Sequence, residues 1–411
     1  MKRVSIGDIC SFTKGASTPR ARMLESGEYL YLHYGDLYRG HNLYIDIADP
    51  DKEIPFIRHT EKIRNDQFVD DGDIIYVLTS ETVEDLGKAL MLRNTEHEAV
   101  VAGTETTIMR ITDKTIVDPR WLNYLLQTDR FKKTLRQYVT GMKVFRVHPR
   151  DISKIEIDLP SLDTQQRIAD ILDTFYSAIR CDAKQNDYLA ELLNAEYGHI
   201  LEDDYETKKL VDVVEILSGG TPKTKNAEYW QDGKVPFFAP GDATGSIYTL
   251  VTEKHITELG LANCNSALYP IDTVFLTARG TVGKVAMAGR PMAMNQSCFA
   301  FVGINVPQTV VYQVIKGAVR SLKAKANGAT FAAINTRDLK VEEVLLPSST
   351  SMSVYNDWAL PIHVMMRVND EESLRLATLR DALLPKLMSG EIDVSKVDIS
   401  QLNNHLAANL V

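Results

Sequence analysis

The residues that could carry out chemistry do not combine into a catalytic motif. The segment RGTVGKV, Arg279 to Val285, comes closest to a nucleotide-binding loop, but it lacks the first glycine at the required spacing. Val285 also stands where a serine or threonine would bind magnesium. The nine histidines include no HExxH pair and do not cluster at the spacings of metal ligands. These observations argue against nucleotide and zinc chemistry in this chain.

Two further segments are incomplete matches to DNA-modifying enzymes. DPRW, Asp118 to Trp121, is the nearest match to the DPPY-like tetrapeptide of an adenine methyltransferase, and its position indicates the start of a helix. Pro50-Asp51 has no acidic-x-Lys partner at a plausible distance for the metal site of a nuclease. The sequence therefore predicts a chain with no activity, cofactor or metal of its own.

Basic residues collect late in each half of the chain, where they could bind a phosphate backbone. Phosphate contacts set the register of a protein on DNA, and the sequence is then read by other side chains. Lys316 shares a helical spacing with two of these residues, although a solvated helix face is an alternative interpretation. The candidates are Lys133, Arg136, Lys143, Arg146, Arg320, Lys323 and Lys325.

Base recognition needs hydrogen-bonding side chains on exposed loops. We expect these loops at residues 14–22, 79–84, 219–225 and 279–284, with 141–145 and 328–331 completing the set. Asn295 and Gln296 could bind adenine through two hydrogen bonds, or equally could cap a turn. The other candidates are Lys14, Thr18, Arg20, Arg22, Thr79, Ser80, Lys223, Lys225, Arg279, Lys284 and Thr330.

The chain repeats itself. DISKIEIDLP, from Asp151, aligns with DLKVEEVLLP, from Asp338, at an offset of 187 residues that also relates the segments that follow. The starts of the halves, around Ile6 and Leu210, correspond at an offset of 204, so the first half carries extra residues in its middle. Each half contains a short apolar run typical of a buried strand, GDIIYVL and DTVFLTA. Helices are predicted over 118–139 and 307–326.

A long amphipathic helix is predicted after each repeat. Its apolar residues have coiled-coil spacing, with polar breaks at Asp182 and Asn186 in the first helix and at Asn369 and Ser373 in the second. Two matched stripes in one chain would most simply pack against each other, antiparallel. The residues expected to pack are Ile168, Leu172, Phe175, Ile179, Leu189, Leu193, Ile362, Met366, Leu376, Leu379, Leu383 and Leu387.

Composition limits how such a protein could bind DNA. The 411 residues suggest two domains of roughly 150 residues each. A formal net charge of −9 means that any DNA contact must be local. The four cysteines form no CxxC pair, and no run approaches the ~20 apolar residues of a membrane span. A reduced, cytoplasmic setting is expected.

These motifs resemble the specificity subunits of type I restriction-modification systems. The resemblance rests on IGDI and LVDV near the starts of the halves, on LPSLDTQQRIADIL (Leu159 to Leu172), and especially on LATLRDALLPKLMSGEIDV (Leu376 to Val394). It covers nearly the whole chain, to about Val394. The second helix lacks the Gln-Gln of the first at its entrance, and Pro361 should kink it unless it joins two helical pieces.

That resemblance implies an α+β protein with an internal pseudo-twofold repeat, in which two target-recognition domains are joined by two long antiparallel coiled-coil helices. Each domain would read half of a bipartite double-stranded DNA target. Half-sites on one face lie about 34 Å apart, and the 36 residues from Thr164 to His199 would span about 54 Å as a helix. The implied bounds are 1–160 and 203–347 for the domains, 161–202 and 348–394 for the helices, and 395–411 for a tail.

The same resemblance implies partners. They are two modification subunits, which bind S-adenosylmethionine and methylate adenine, and restriction subunits that use ATP and magnesium. All three cofactors would belong to those partners. Two alternatives remain: a scaffold whose two domains bind proteins or glycans, joined by a coiled-coil spacer, and an orphan targeting subunit like that of a type IIG enzyme.

Overall fold

The computed structural model describes residues 2–38, 40–83, 86–326 and 333–401. The chain divides into two compact units, called here unit 1 (Met1–Tyr176 with Thr378–Val411) and unit 2 (Ser177–Ala377). Helix α6, Leu162–Asp203, leads from unit 1 into unit 2, and helix α11, Ser349–Ser389, leads back. None of the helices in the described ranges is long and apolar enough to cross a membrane.

Unit 1 is built on a five-stranded sheet of order β2-β10-β6-β8-β4 and a three-stranded sheet of order β5-β3-β9. The central strand β6 is buried along its whole length, as its continuous apolar run predicts. The elements are β1 Lys2–Ser5, α1 Ile6–Ile9, β2 Cys10–Lys14, β3 Tyr29–Leu32, α2 Tyr34–Tyr38, β4 Tyr44–Asp46, β5 Phe56–Ile57, β6 Ile74–Val77, β7 Thr79–Ser80, β8 Lys88–Arg93, β9 Val100–Ala102, β10 Thr106–Ile111, α3 Pro119–Gln127, α4 Asp129–Arg136, β11 Phe145–Arg146, α5 Pro149–Ile152 and β12 Glu156–Leu159.

Unit 2 repeats this plan. Its five-stranded sheet has the order β14-β21-β18-β19-β16, and a three-stranded sheet has the order β17-β15-β20. The elements are β13 Glu206–Lys209, α7 Leu210–Val213, β14 Val214–Ser218, β15 Val235–Phe238, β16 Tyr248–Thr249, β17 Lys254–Ile256, α8 Glu258–Ala262, β18 Val274–Thr277, β19 Val285–Ala288, β20 Ala293–Met294, β21 Cys298–Gly303, α9 Gln308–Ala326, α10 Thr336–Lys340 and β22 Glu343–Leu346. The equivalent strand orders confirm the predicted fold class and its internal repeat.

One helix prediction needs correction. The single helix expected over 118–139 is two helices, α3 and α4, because Thr128 has an extended backbone (φ −65°, ψ 142°). Thr128 ends α3 and caps α4, its Oγ1 accepting a hydrogen bond from the Phe131 amide at 3.2 Å. The start at Asp118 is confirmed, since this side chain accepts bonds from the amides of Arg120 and Trp121. Helix α11 continues through Pro361 without a break.

Within unit 2 the polar breaks of α6 and α11 meet each other. The Asn369 side chain donates to Asn186 Oδ1 at 2.9 Å, and the Ser373 hydroxyl donates to Asp182 Oδ2 at 3.0 Å. Asp182 and Asn186 precede Asn369 and Ser373 by the repeat offset of 187, so the repeat operation exchanges the two pairs. This relation requires the helices to run antiparallel here.

The polar layer contains a carboxyl group, that of Asp370, with a raised pKa. Burial raises the pKa of Asp370 to about 6; the hydrogen bond from Asn186 opposes this rise, and the Asp182 and Asp187 carboxylates add to it. The folded protein therefore holds this proton more tightly than the unfolded chain does. We expect the free energy of unfolding to fall as pH rises from about 4 to 6, by on the order of 1 kcal/mol after allowance for partial exposure.

This pH dependence is checked by denaturant titrations between pH 4 and 7. Asp370→Asn should flatten the slope, because an amide oxygen still accepts from Asn186 but does not titrate. Glu371→Gln, one residue further along the helix and exposed, is the matched control and should leave the slope in place. Equal slopes in the wild type and in Asp370→Asn would contradict the assignment.

Most residues expected to pack along the helices are shielded from solvent. Leu379 is the exception, at 46% exposed, so it lies outside the buried stripe. Ile179, Leu189, Ile362 and Leu383 are half-buried. The remaining seven are buried: Ile168, Leu172, Phe175, Leu193, Met366, Leu376 and Leu387.

In unit 1, Asp173 on α6 ties the helix to the sheet and to α3. Its carboxylate accepts hydrogen bonds from Tyr44 and, at 2.8 Å, from Tyr124, and it forms ion pairs with Arg93 at 3.2 Å and Arg120 at 3.3 Å. Burial raises the pKa of both phenols, and the negative charge of Asp173 adds to the rise, so they remain donors. One carboxylate thus holds four side chains.

Candidate nucleic-acid interface

A short two-stranded sheet follows the central strand of unit 1. Strand β7 pairs antiparallel with β11, Thr79 opposite Arg146 and Ser80 opposite Phe145. The Val147 amide donates to the Leu78 carbonyl at 3.0 Å, which fixes this strand pair to the end of β6. The structure therefore brings Thr79 and Ser80 together with Arg146, although the sequence predicted them on separate loops.

The loop between Thr140 and Arg146 is closed by the backbone. Thr140 and Arg146 exchange two backbone hydrogen bonds of 2.9 and 2.8 Å. Gly141 has φ +106°, and a Cβ there would lie 2.1 Å from the Val144 carbonyl oxygen, so the turn requires glycine. Lys143 and Arg146 are exposed on this loop.

Helix α4 precedes the loop and presents a basic surface. Lys133 and Arg136 are exposed, and residues 129–146 contain six Lys or Arg against the single acidic Asp129. Burial, and then the nearby Lys132, lowers the pKa of Lys88. Local positive charge of this kind attracts phosphate even on an acidic protein.

The amino-terminal loop of unit 1 offers fewer free side chains than expected. Thr18 is 3% exposed; its amide donates to the Tyr31 hydroxyl and its carbonyl accepts from the Thr104 hydroxyl, so its role is structural. Arg22 forms an ion pair with Glu61 at 3.1 Å. Lys14 and Arg20 are exposed.

In unit 2 the equivalent loops meet at the end of β18. The amides of Ala278 and Arg279 both donate to the Ser297 carbonyl, which joins the turn after β18 to the MNQSCF segment. Gln296 is exposed and accepts a hydrogen bond from the Thr221 hydroxyl. The 219–225 loop, the 279–284 loop and the segment that contains Gln296 therefore form one surface, although the sequence predicted them as separate sites.

Helix α9 borders this surface through Lys323. A Cβ on Gly283 would lie 2.1 Å from Cε of Lys323, so the lysine side chain lies across the 279–284 turn. Arg279, Lys223, Lys225 and Arg320 are exposed as well. The loops and the helix of this surface thus carry exposed cations as well as a hydrogen-bonding group, the Gln296 amide.

Several candidates in unit 2 have structural roles. Asn295 Oδ1 accepts from the Ser297 amide at 2.9 Å, which is the turn-capping alternative. Lys284 donates to the Ala243 carbonyl, and Lys325 pairs with Glu342, which is 3% exposed. Lys316 donates to Asn194 Oδ1 at 2.9 Å. Thr330 lies outside the described residues.

The exposed polar and basic side chains of these two surfaces suit binding. Among the described residues, no three His, Cys, Asp or Glu side chains lie close enough to hold a metal ion. The two surfaces have the same plan. Each is a cluster of exposed loops at the end of the central strand, β6 in unit 1 and β18 in unit 2, and each lies beside a helix with exposed cations. Phosphate binding and base contact are the chemistry such a surface can perform.

Comparison with known proteins identifies relatives of both halves. The profile described as "Type I restriction modification DNA specificity domain" matches residues 1–191 and 202–351. The MjaIX specificity subunit of Methanocaldococcus jannaschii is 31% identical over 166 residues, 38% of each chain. The HindI specificity subunit of Haemophilus influenzae is 29% identical over 202 residues, 46% of this chain and 42% of that protein. The matches thus span less than half of either relative.

One solved structure extends the likeness to the fold of nearly the whole chain. The S subunit of a type I restriction-modification system from M. genitalium superposes with a TM-score of 0.57 over 94% of this chain and 95% of that one, at 14% identity. At this identity the likeness concerns the fold alone. The family profile, however, covers most of the chain in two consecutive copies. This protein therefore belongs to the family of type I restriction-modification DNA specificity domains.

Proposed function

We propose that this chain is the DNA-specificity subunit of a type I restriction-modification system and reads double-stranded DNA with both units. The observation that carries the proposal is the duplicated surface: each unit places exposed polar and basic loops at the end of its central strand, beside a helix with exposed cations. Family membership supports the same conclusion.

The two surfaces carry different side chains. Unit 1 offers Thr79 and Ser80, whereas unit 2 offers Gln296 and Arg279. Because glutamine and arginine pair with adenine and guanine respectively, whereas hydroxyl groups are less selective, the two units would prefer different bases. We therefore propose a bipartite target with two unlike half-sites and an unspecified spacer, the length of which depends on α6 and α11.

Catalysis in this proposal belongs to partner subunits. Two modification subunits would bind S-adenosylmethionine and methylate adenine, and restriction subunits would use ATP and magnesium. The curated relatives support a specificity role for this chain, since each is named as a specificity subunit of a type I restriction enzyme. Partners would also supply positive charge, which a chain of net charge −9 needs in order to hold a duplex.

Lys323→Glu tests the phosphate contacts. We expect the complex with modification subunits to bind every duplex about tenfold more weakly, with a salt dependence reduced by about one unit in log–log slope, because one phosphate contact is lost. Gln296→Ala should instead change the preference among half-site sequences and leave the slope unchanged. Binding isotherms at several salt concentrations measure both effects.

Lys254→Glu is the matched control, an exposed lysine of the same unit on β17, at the far edge of the β17-β15-β20 sheet. It should bind like the wild type. If Lys323→Glu and Lys254→Glu behave alike, the assigned surface is wrong. If the wild-type complex binds duplexes with no dependence on salt, the scaffold alternative replaces the proposed function.

A further inference from the structure

Met142 is the most exposed large apolar side chain in the described part of the chain, at 93%. It lies in the loop 141–145, which Thr140 and Arg146 close with two backbone hydrogen bonds and a third from the Thr140 hydroxyl to the Arg146 carbonyl. The strand pair β7–β11 and the glycine turn at Gly141 support the loop. The methionine thus lies on an exposed loop whose two ends are joined by hydrogen bonds.

The surroundings of Met142 indicate which partner it contacts. Lys143 follows it directly, Arg146 closes the loop, and Lys133 and Arg136 are exposed on the preceding helix. Val144 adds a second apolar side chain, 44% exposed. An apolar tip set among cations is poorly suited to an apolar protein surface, since the cations would lose their water there. It suits a polyanion whose interior is apolar, which is the stacked duplex.

We propose that Met142 is an apolar wedge that presses against a base step in the half-site read by unit 1 and unstacks it, while Lys143 and Arg146 bind the flanking phosphates. Methionine is among the side chains that enter between base steps, and unstacking costs a few kcal/mol per step. The inference rests on the proposed DNA-binding function. It adds recognition through deformability, because pyrimidine–purine steps open more readily than others.

The test uses the assembled complex of this chain with its modification subunits and a target duplex in which 2-aminopurine replaces each purine of the half-site in turn. We expect the wild type to raise the fluorescence several-fold at one step. That step must differ from the methylated adenine, because a modifying enzyme flips its own target base. Met142→Ala should abolish the rise and weaken binding by about tenfold, whereas Met142→Leu should keep both.

Ile116→Ala is the control, since Ile116 is an exposed apolar residue of the same unit, 50% exposed, outside the loop. It should change neither signal. Tight, salt-dependent binding with no fluorescence rise at any step other than the methylated adenine would overturn the wedge and leave the proposed function standing. A rise unaffected by Met142→Ala would assign the unstacking to another residue. Failure of the wild-type complex to bind duplexes at low salt would overturn both.

Discussion

Replacing Asp173 by alanine is expected to destabilise unit 1 by about 3 kcal/mol, because the substitution leaves two arginines and two phenols without their shared acceptor. The carboxylate is only 16% exposed, so water replaces it poorly. Asp173→Asn should fall between the wild type and Asp173→Ala, since an amide keeps an oxygen acceptor but loses the charge.

Tryptophan fluorescence makes this measurement specific to unit 1. The chain has three tryptophans, and Trp121 alone lies in unit 1, fully buried. In a Trp230→Phe, Trp358→Phe background, denaturant unfolding followed by fluorescence reports on unit 1. Asp170→Ala is the matched control, because Asp170 lies one turn away, binds the same Arg120 and is 45% exposed; we expect a loss of at most about 1 kcal/mol. Equal losses for the two variants would contradict the role given to Asp173.

Lengthening both long helices by one turn is expected to lengthen the unspecified spacer of the DNA target by one or two base pairs. Four residues inserted after Lys184 in α6 and four after Glu371 in α11 add about 6 Å, or nearly two base pairs of 3.4 Å. Insertions at these points keep Asn186 opposite Asn369 and Asp182 opposite Ser373. The methylation motif of the variant complex gives the new spacer directly.

Insertion into α6 alone is the control, because it moves one polar pair out of register by about 6 Å. We expect that variant to lose stability and methylation instead of acquiring a new spacer. A doubly lengthened variant that methylates the original motif would show that the helix pair does not set the spacer.

The sequence predicts the repeat and the helices well, because both depend on local patterns. The offset of 187 residues and the polar breaks at Asp182, Asn186, Asn369 and Ser373 are visible in the letters alone. The pairing of these breaks follows from symmetry, because two antiparallel helices related by the repeat place the polar break of one helix opposite the polar break of the other. The break at Thr128 escaped, because a single capping residue divides an otherwise continuous helical pattern.

The interface is less predictable, because residue type does not reveal what a side chain already binds. The sequence predicts three free cations that the structure shows with partners. Lys284 donates to the Ala243 carbonyl, Lys325 pairs with the Glu342 carboxylate, and Arg22 pairs with the Glu61 carboxylate. Met142 is not among the sequence candidates for the opposite reason: its side chain has no strong hydrogen-bonding group, and only its exposure distinguishes it. Asp173 likewise gains its importance from partners that are distant in the chain.

The most direct test of the proposed function is a methylation map. This chain and its modification subunit are co-expressed in a host without adenine methylation, and methylated adenines are located genome-wide by single-molecule sequencing. The duplicated surface predicts a split motif of two unlike half-sites with a fixed spacer, which disappears when this chain is omitted. A co-purifying, catalytically competent complex that methylates no split motif, or the same motif without this chain, would contradict it.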